Sequence, residues 1–366
     1  MALVASVFDL GVYPAAISIA CSIVLGLIAA ATFYCSSELT ANLAARLCWA
    51  SIPVLVAPGG LETVGNAANL HWYLLWLTPW VLMKTPAGIG GGLVLGVSAL
   101  VISLSEIQSV LFLPLVFLRP GNKGLWWAKT GFVIGAGCQV FNMWVYPRAP
   151  GMEVDMDFLS VFNGYFLNST GAVFYGASSV IINHIHAFGA APILVSAIPF
   201  AFAALLVGFF GSRRQRLAGG IWFLASAATW TAAVVINPAP YFRYSDFVSA
   251  EDWMVFYISR YSVVPSMFLL ALLPLLIPRK AAEAGSRGRW AALMDSRQFR
   301  GGVAGAFLIL QSVYYFPIDD ARGSGPEWAP GIQAAREACA TDPDLASVEI
   351  PQAPNKWTTR IRCSDL

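Results

Sequence analysis

The chain has 366 residues, of which 57% are hydrophobic and 11% charged, with a formal net charge of +2 and a mean hydropathy of +0.65. A soluble domain carries roughly a quarter of its residues as charged side chains, so this composition excludes a water-solvated globule and leaves a protein whose flanks face lipid. The small net charge decides little, whereas the positions of the charges decide more, because they gather between apolar runs of about 20 residues, the length that spans a hydrocarbon core.

Met1 to Gly11 carry no basic segment and so form no signal peptide, and the first apolar run begins almost at once. Apolar runs at 13–34, 41–58, 69–84, 86–105, 107–119, 125–146, 191–210, 217–237, 261–277 and 301–317 predict an all-α polytopic membrane bundle of about ten crossings. The fourth and fifth runs are irregular. Gly88 to Gly92 loosens the start of one and the other is short, so the pair also reads as a broken or re-entrant element.

Charge fixes the expected orientation. Arg213, Arg214 and Arg216 stand in one short loop without an acid, and Arg279, Lys280, Arg287, Arg289, Arg297 and Arg300 crowd another against Glu283 and Asp295 alone. Short basic loops stay in the cytoplasm. Counting outward places Lys84, Arg119, Lys123 and Lys129 inside as well, and Glu62, Glu106, Glu153, Asp155, Asp157, Asp246, Glu251 and Asp252 outside. The expected layout is a multi-pass domain over 1–317 in the inner (plasma) membrane, with outer loops 59–68, 147–190 and 238–260. A tail over 318–366 and both termini are extracytoplasmic. An outside N-terminus with no exporting segment before it leads us to expect a missing upstream crossing, from a truncated gene product or a late start codon.

Cys21, Cys35, Cys48 and Cys138 lie in or beside apolar runs, where a cysteine behaves as a small hydrophobe. Cys339 and Cys363 bracket the polar tail in an oxidising compartment and predict a disulfide; no zinc-like spacing is present. The segment Val348 to Arg362 reads as extended.

Three outer segments hold the candidate site. In Gly60 to Tyr73, Glu62, Asn66, Asn69 and His71 precede an apolar run; on a helix, Glu62, Asn66 and Asn69 share one face. Such a line suits a polar ligand, or else interhelical hydrogen bonds with Trp72 as an interfacial anchor. In Pro238 to Tyr261, aromatic rings alternate with Arg243, Asp246, Glu251, Asp252 and Arg260. Rings stack on sugars and guanidinium forks match phosphate oxygens, although an aromatic belt explains the rings as well. In Tyr146 to Ala187, Glu153, Asp155 and Asp157, or His184 with His186, could hold a divalent cation, against the commoner outcome of solvated side chains. Asn168, Ser169 and Thr170 form a glycosylation sequon.

The runs ETVGNAANLHWYLLWLTPW (62–80), SLSEIQSVLFLPLVFLR (103–119) and RYSVVPSMFLLALL (260–273), with the tail's Pro, Trp and terminal cysteine, resemble bacterial polytopic proteins related to the C-type (GT-C) glycosyltransferases. The resemblance implies sugar transfer from a polyprenyl-phosphate donor on the outer membrane face. It also implies a catalytic acid in a first outer loop that is largely absent here, Asp9 being the only acid before the first run. Glu62 or Glu106 is then the expected base. Arg260 or Arg243 is the expected phosphate partner, and Asn66, Asn69, His71 and Tyr261 are expected to bind substrate. Glu106 reads equally as a structural carboxylate. A non-catalytic protein of the same fold, a transporter and a glycan polymerase are the alternatives. The basic runs are explained as cytoplasmic loops without nucleic acid, and no phosphate-cradling glycine motif, paired CxxC or GxSxG elbow occurs.

Overall fold

The computed structural model describes residues 8–147, 154–277, 296–316, 325–354 and 356–366, without the side chains of Leu61, Glu62 and Arg297. The described chain is mainly helical. Its first α-helix, α1 (Tyr13–Ser36), carries Pro14 in its first turn, where a missing N–H costs nothing. Asn42 opens α2 (Leu43–Leu55) by accepting from the Ala44 and Ala45 amides at 2.9 and 3.3 Å. Val56 takes an extended conformation that separates α2 from the short α3 (Ala57–Glu62), whose first turn holds Pro58.

Helix α4 (Leu70–Met83) is apolar around its circumference and buried along most of its length, which puts it at the centre of the bundle. Its Trp76 and Trp80 meet Trp49, Trp222 and Phe268 in one aromatic cluster. Helix α5 (Gly88–Ser105) leads through Glu106 into a 3-10 helix, Ile107–Phe117, and then to α6 (Trp126–Val145). The glycines around residue 90 do not break α5. Gly92 and Gly96 lie under Trp127, and Gly131 and Gly135 abut the α5 backbone at Gly96 and Leu100, so bare backbone lets the two helices approach closely.

Residues 158–175, inside the region expected as an outer loop, fold as α7 (Phe158–Tyr165), a π-helical turn Phe166–Gly171 and α8 (Ala172–Tyr175). Leu167 to Thr170 are buried there. Helices α9 (Ser178–Phe188), α10 (Ala191–Phe210) and α11 (Arg213–Ile236) follow. A loop with the one-turn α12 (Ala250–Trp253) leads to α13 (Val263–Leu270), and α14 (Arg297–Tyr315) closes the bundle. Ser212 and Gln215 cap α11 reciprocally. The Arg279 to Asp295 loop that anchored the expected orientation falls outside the described residues.

Among the described residues, five helices are long and apolar enough to cross a membrane: Leu10–Ser36, Leu43–Gly60, Gly88–Ser105, Ala191–Phe210 and Arg213–Ile236. Ile107–Phe117 and Arg260–Leu276 are apolar but shorter, with Pro114, Pro265 and Pro274 inside them. Large apolar side chains such as Ile89, Leu194, Phe209 and Phe210 project outward, as expected of a lipid-facing surface.

The two ends of α1 carry different chemistry. At its C-terminal end Glu38 binds Arg119 at 2.8 Å and the Thr85 amide at 3.3 Å, and Lys84 donates to Ser37 at 2.8 Å. Lys84 and Arg119 therefore share an end, as the charge pattern predicts. At its N-terminal end, about 36 Å away by helical rise over its length, Gly65 turns beside Ser18 and the C-terminal tail docks. The tail packs α15 (Trp328–Thr341) on an antiparallel hairpin, β1 (Ser347–Gln352) and β2 (Trp357–Arg362), around Ile332, Ala335 and Ile350. Cys339 and Cys363 form the expected disulfide. Trp328 donates to the Leu10 carbonyl at 2.7 Å, and Arg336 pairs with Asp9 at 2.6 Å.

Candidate functional site

At the tail's end of the bundle the chain brings together His71, Glu106, Arg260 and Tyr261, residues far apart in sequence. His71 is the second residue of α4. Glu106 caps the 3-10 helix after it, one carboxylate oxygen accepting from the Gln108 amide at 2.9 Å. The other oxygen lies 3.5 Å from His71 Nε2. Both side chains keep some exposure, 26% for His71 and 11% for Glu106. The pair is thus largely withdrawn from water while still reachable.

An aromatic bridge extends from this pair. The His71 and Trp72 rings are 4.4 Å apart, and Trp72 stands edge-on to Tyr261 at 5.6 Å. Arg260 places its guanidinium 5.4 Å from the centre of the Tyr261 ring and is near enough to act electrostatically on His71. Tyr261 in turn meets Phe242, which touches Tyr241 and Tyr244. Many of the aromatics of 238–261 therefore pack on one another as a continuous ladder.

Sequence reasoning missed Gln108 and Ser109, and Trp72, read there as an interfacial anchor, is buried. Trp72 Nε1, Gln108 Oε1 and Ser109 Oγ are buried and have no hydrogen-bond partner among the described residues. Gln108 and Ser109 stand within a run otherwise made of apolar residues, and polar groups at membrane depth are a legible signal of function.

The other expected residues divide. Helix α3 ends at Glu62, Gly65 turns at a φ of +79°, and residues 67–69 form a separate 3-10 turn, so Glu62, Asn66 and Asn69 do not share the helix face expected of them. Asn66 spends its carboxamide oxygen on the Ala68 amide at 3.0 Å, and Asn69 is buried. The Glu62 side chain lies outside the described residues, but α3 packs against the Arg260–Ser262 turn. Arg243 pairs locally with Asp246 at 3.0 Å.

Asp157 accepts from Ser160 Oγ at 2.6 Å, the Ser160 amide at 2.8 Å and Ser245 Oγ at 2.7 Å. These bonds, the Ser160 hydroxyl first, hold its carboxyl down at about 2 and clip the 238–260 loop to α7. That occupation leaves Asp157 poorly suited to a cation. Glu153 lies outside the described residues, and His184 and His186, two apart on α9, point in different directions, with His184 Nδ1 2.7 Å from the Val180 carbonyl. Among the described residues no three His, Cys, Asp or Glu side chains cluster to hold a metal ion. Asn168 of the sequon is fully buried. Asp9, the only acid before the first run, is taken up by Arg336 and by the Gly11 amide at 2.8 Å.

No family model matches the chain, and neither a curated protein nor a solved structure matches it. The functional reading therefore rests on the site's own chemistry.

Proposed function

We propose that this chain is a GT-C-like membrane glycosyltransferase that moves a sugar from a polyprenyl-phosphate donor on the outer face of the plasma membrane. In this reading the chain crosses about ten times, the termini and the His71–Glu106 end face outward, and the Lys84–Arg119 end faces the cytoplasm. The observation that carries it is the Glu106 carboxylate 3.5 Å from His71 at the head of an apolar bundle, with Arg260 against the Tyr261 ring and close enough to act electrostatically on His71. Glu106 accepts the proton of the acceptor hydroxyl as its oxygen bonds to the anomeric carbon. The anomeric carbon–oxygen bond to phosphate breaks, and polyprenyl phosphate departs with the electron pair. His71 orients the carboxylate, and Arg260 receives the phosphate oxygens. Tyr261 and Trp72 offer ring faces to a sugar. Glu62, at the end of α3, is the second candidate base.

The test is release of polyprenyl phosphate from a lipid-linked sugar by the purified protein in bilayer discs. Glu106→Gln is expected to lower that release by about 10²-fold or more, the usual worth of a positioned base, with Glu62→Gln assayed beside it. Full turnover in Glu106→Gln removes Glu106 from the mechanism. Donor binding without any release would instead identify a non-catalytic protein of the same fold.

A further inference from the structure

The π-helical turn Phe166–Gly171 is the least expected local structure in the chain. Such turns leave backbone groups out of the regular ladder and occur disproportionately at functional sites. Here the turn buries three consecutive polar residues, Asn168, Ser169 and Thr170, beneath the outer end of the bundle.

Asn168 uses both ends of its carboxamide on segments that flank the candidate site. Its Nδ2 donates to the Tyr244 hydroxyl at 2.9 Å and to the Gly164 carbonyl at 3.1 Å. Its Oδ1 accepts from Ser262 Oγ at 2.9 Å. Two residues before Ser262 stands Arg260, and one before it stands Tyr261. Tyr244 reaches the same place from the other side, because it packs on Phe242 and Phe242 packs on Tyr261. The backbone carbonyls of Asn168 and Ser169 also accept from Ser266 Oγ, at 3.4 and 3.0 Å, one turn further along α13.

A buried carboxamide with two fixed partners sets their separation and orientation as a rigid spacer does, and in an apolar surround its bonds are costly to break. We infer that Asn168 is a positioning residue: through Ser262 and Tyr244 it holds the Arg260–Tyr261 turn against the His71–Glu106 pair, and so sets how the site meets a lipid phosphate. The inference rests on the reading of Arg260 as the phosphate partner. It assigns a role to a residue whose sequon would otherwise mark it as a surface glycan acceptor.

The experiment measures equilibrium binding of polyprenyl phosphate to the full chain in bilayer discs, with thermal stability recorded for every variant. Asn168→Leu keeps the volume and removes all three side-chain bonds, and is expected to weaken binding about tenfold, the equivalent of about 1.4 kcal/mol. Ser262→Ala and Tyr244→Phe each remove one bond and are expected to give partial losses, and they serve as milder probes should Asn168→Leu misfold. The deciding measurement is the cycle with Arg260→Ala. If Asn168 acts through Arg260, the double variant binds no worse than Arg260→Ala alone; a purely structural role adds its loss independently. Additive losses, or unchanged binding in Asn168→Leu, Ser262→Ala and Tyr244→Phe together, overturn the inference. If Arg260→Ala alone leaves binding intact, the phosphate role of Arg260 falls, and this inference falls with it. If Arg260→Ala weakens binding and the Asn168 set does not, only the positioning role fails.

Discussion

Replacing Gly131 by alanine tests how Glu106 is held in place. Gly131 on α6 faces the backbone of Gly96 on α5, and an added Cβ would overlap the Gly96 carbonyl oxygen and come within 2.9 Å of its carbon. Neither atom belongs to a flexible side chain, so the helices must separate. Overpacking of this kind costs about 1–3 kcal/mol, partly offset by about 0.8–1 kcal/mol of helix propensity gained over glycine. Gly137 on the same helix is the internal control, because nothing lies within 4 Å of its would-be Cβ. There the propensity gain acts alone, and Gly137→Ala is expected to raise stability by up to about 1 kcal/mol. The assay is the fraction of monodisperse protein remaining after graded heating in detergent. Gly131→Ala is expected to melt below the parent and Gly137→Ala at or above it. Because Gln139 of α6 donates to the Leu104 carbonyl, two residues before Glu106, Gly131→Ala is also expected to lower the polyprenyl-phosphate release proposed above. Equal melting of the two variants would refute the close backbone crossing, and the placement of Glu106 by it.

Three further outcomes follow from the tail and its docking. Cys339→Ser opens a 24-residue separation closed by the disulfide, which chain entropy values at about 3 kcal/mol, so the tail is expected to become protease-sensitive while the helical bundle stays intact. The Asp9 carboxyl is held below its ordinary value of 3.8, first by the Arg336 hydrogen bond and then by the Gly11 amide. Its contribution to docking is therefore complete above about pH 4 and disappears as the pH falls through the lower, docked value. Spin labels on tail and α1 are expected to show a small loosening on acidification below pH 4 in the parent, with the Trp328–Leu10 contact keeping the tail docked, and no such step in Arg336→Ala. A reporter fused after Leu366 is expected to be accessible from outside intact cells, and access only from the cytosol would invert the proposed orientation.

Much of the fold is legible in the sequence because lipid leaves the backbone few choices: long apolar runs must become helices. Lys84 and Arg119 gather at one end as the charge positions predict, and Cys339 pairs with Cys363 as two cysteines bracketing a polar tail predict. The site is only half legible. Glu106, His71, Arg260 and Tyr261 are polar or aromatic groups at the edges of apolar runs, and they do converge. The expected face of Glu62, Asn66 and Asn69 does not form, because Gly65 adopts a positive φ and Asn66 turns its side chain back on its own turn. The π turn was not legible at all. Asn-Ser-Thr in a segment expected as an outer loop reads as a solvated sequon, and it is instead buried and bonded to Tyr244 and Ser262, 76 and 94 residues away in sequence.

The convergence has a physical consequence for the kind of ligand the site prefers. His71 lies in the first turn of α4, Glu106 caps the 3-10 helix Ile107–Phe117, and Arg260 opens the turn that runs directly into α13. Three helical N-termini therefore gather at one end of the bundle, each carrying the partial positive charge of amides without intrahelical partners. Glu106 satisfies one of these amides through Gln108. Adding the Arg260 guanidinium makes the surroundings of that single carboxylate favourable to a second anion and not to a cation. In the proposed reading, that field suits the phosphate of a lipid-linked donor and the apolar flanks below suit its chain.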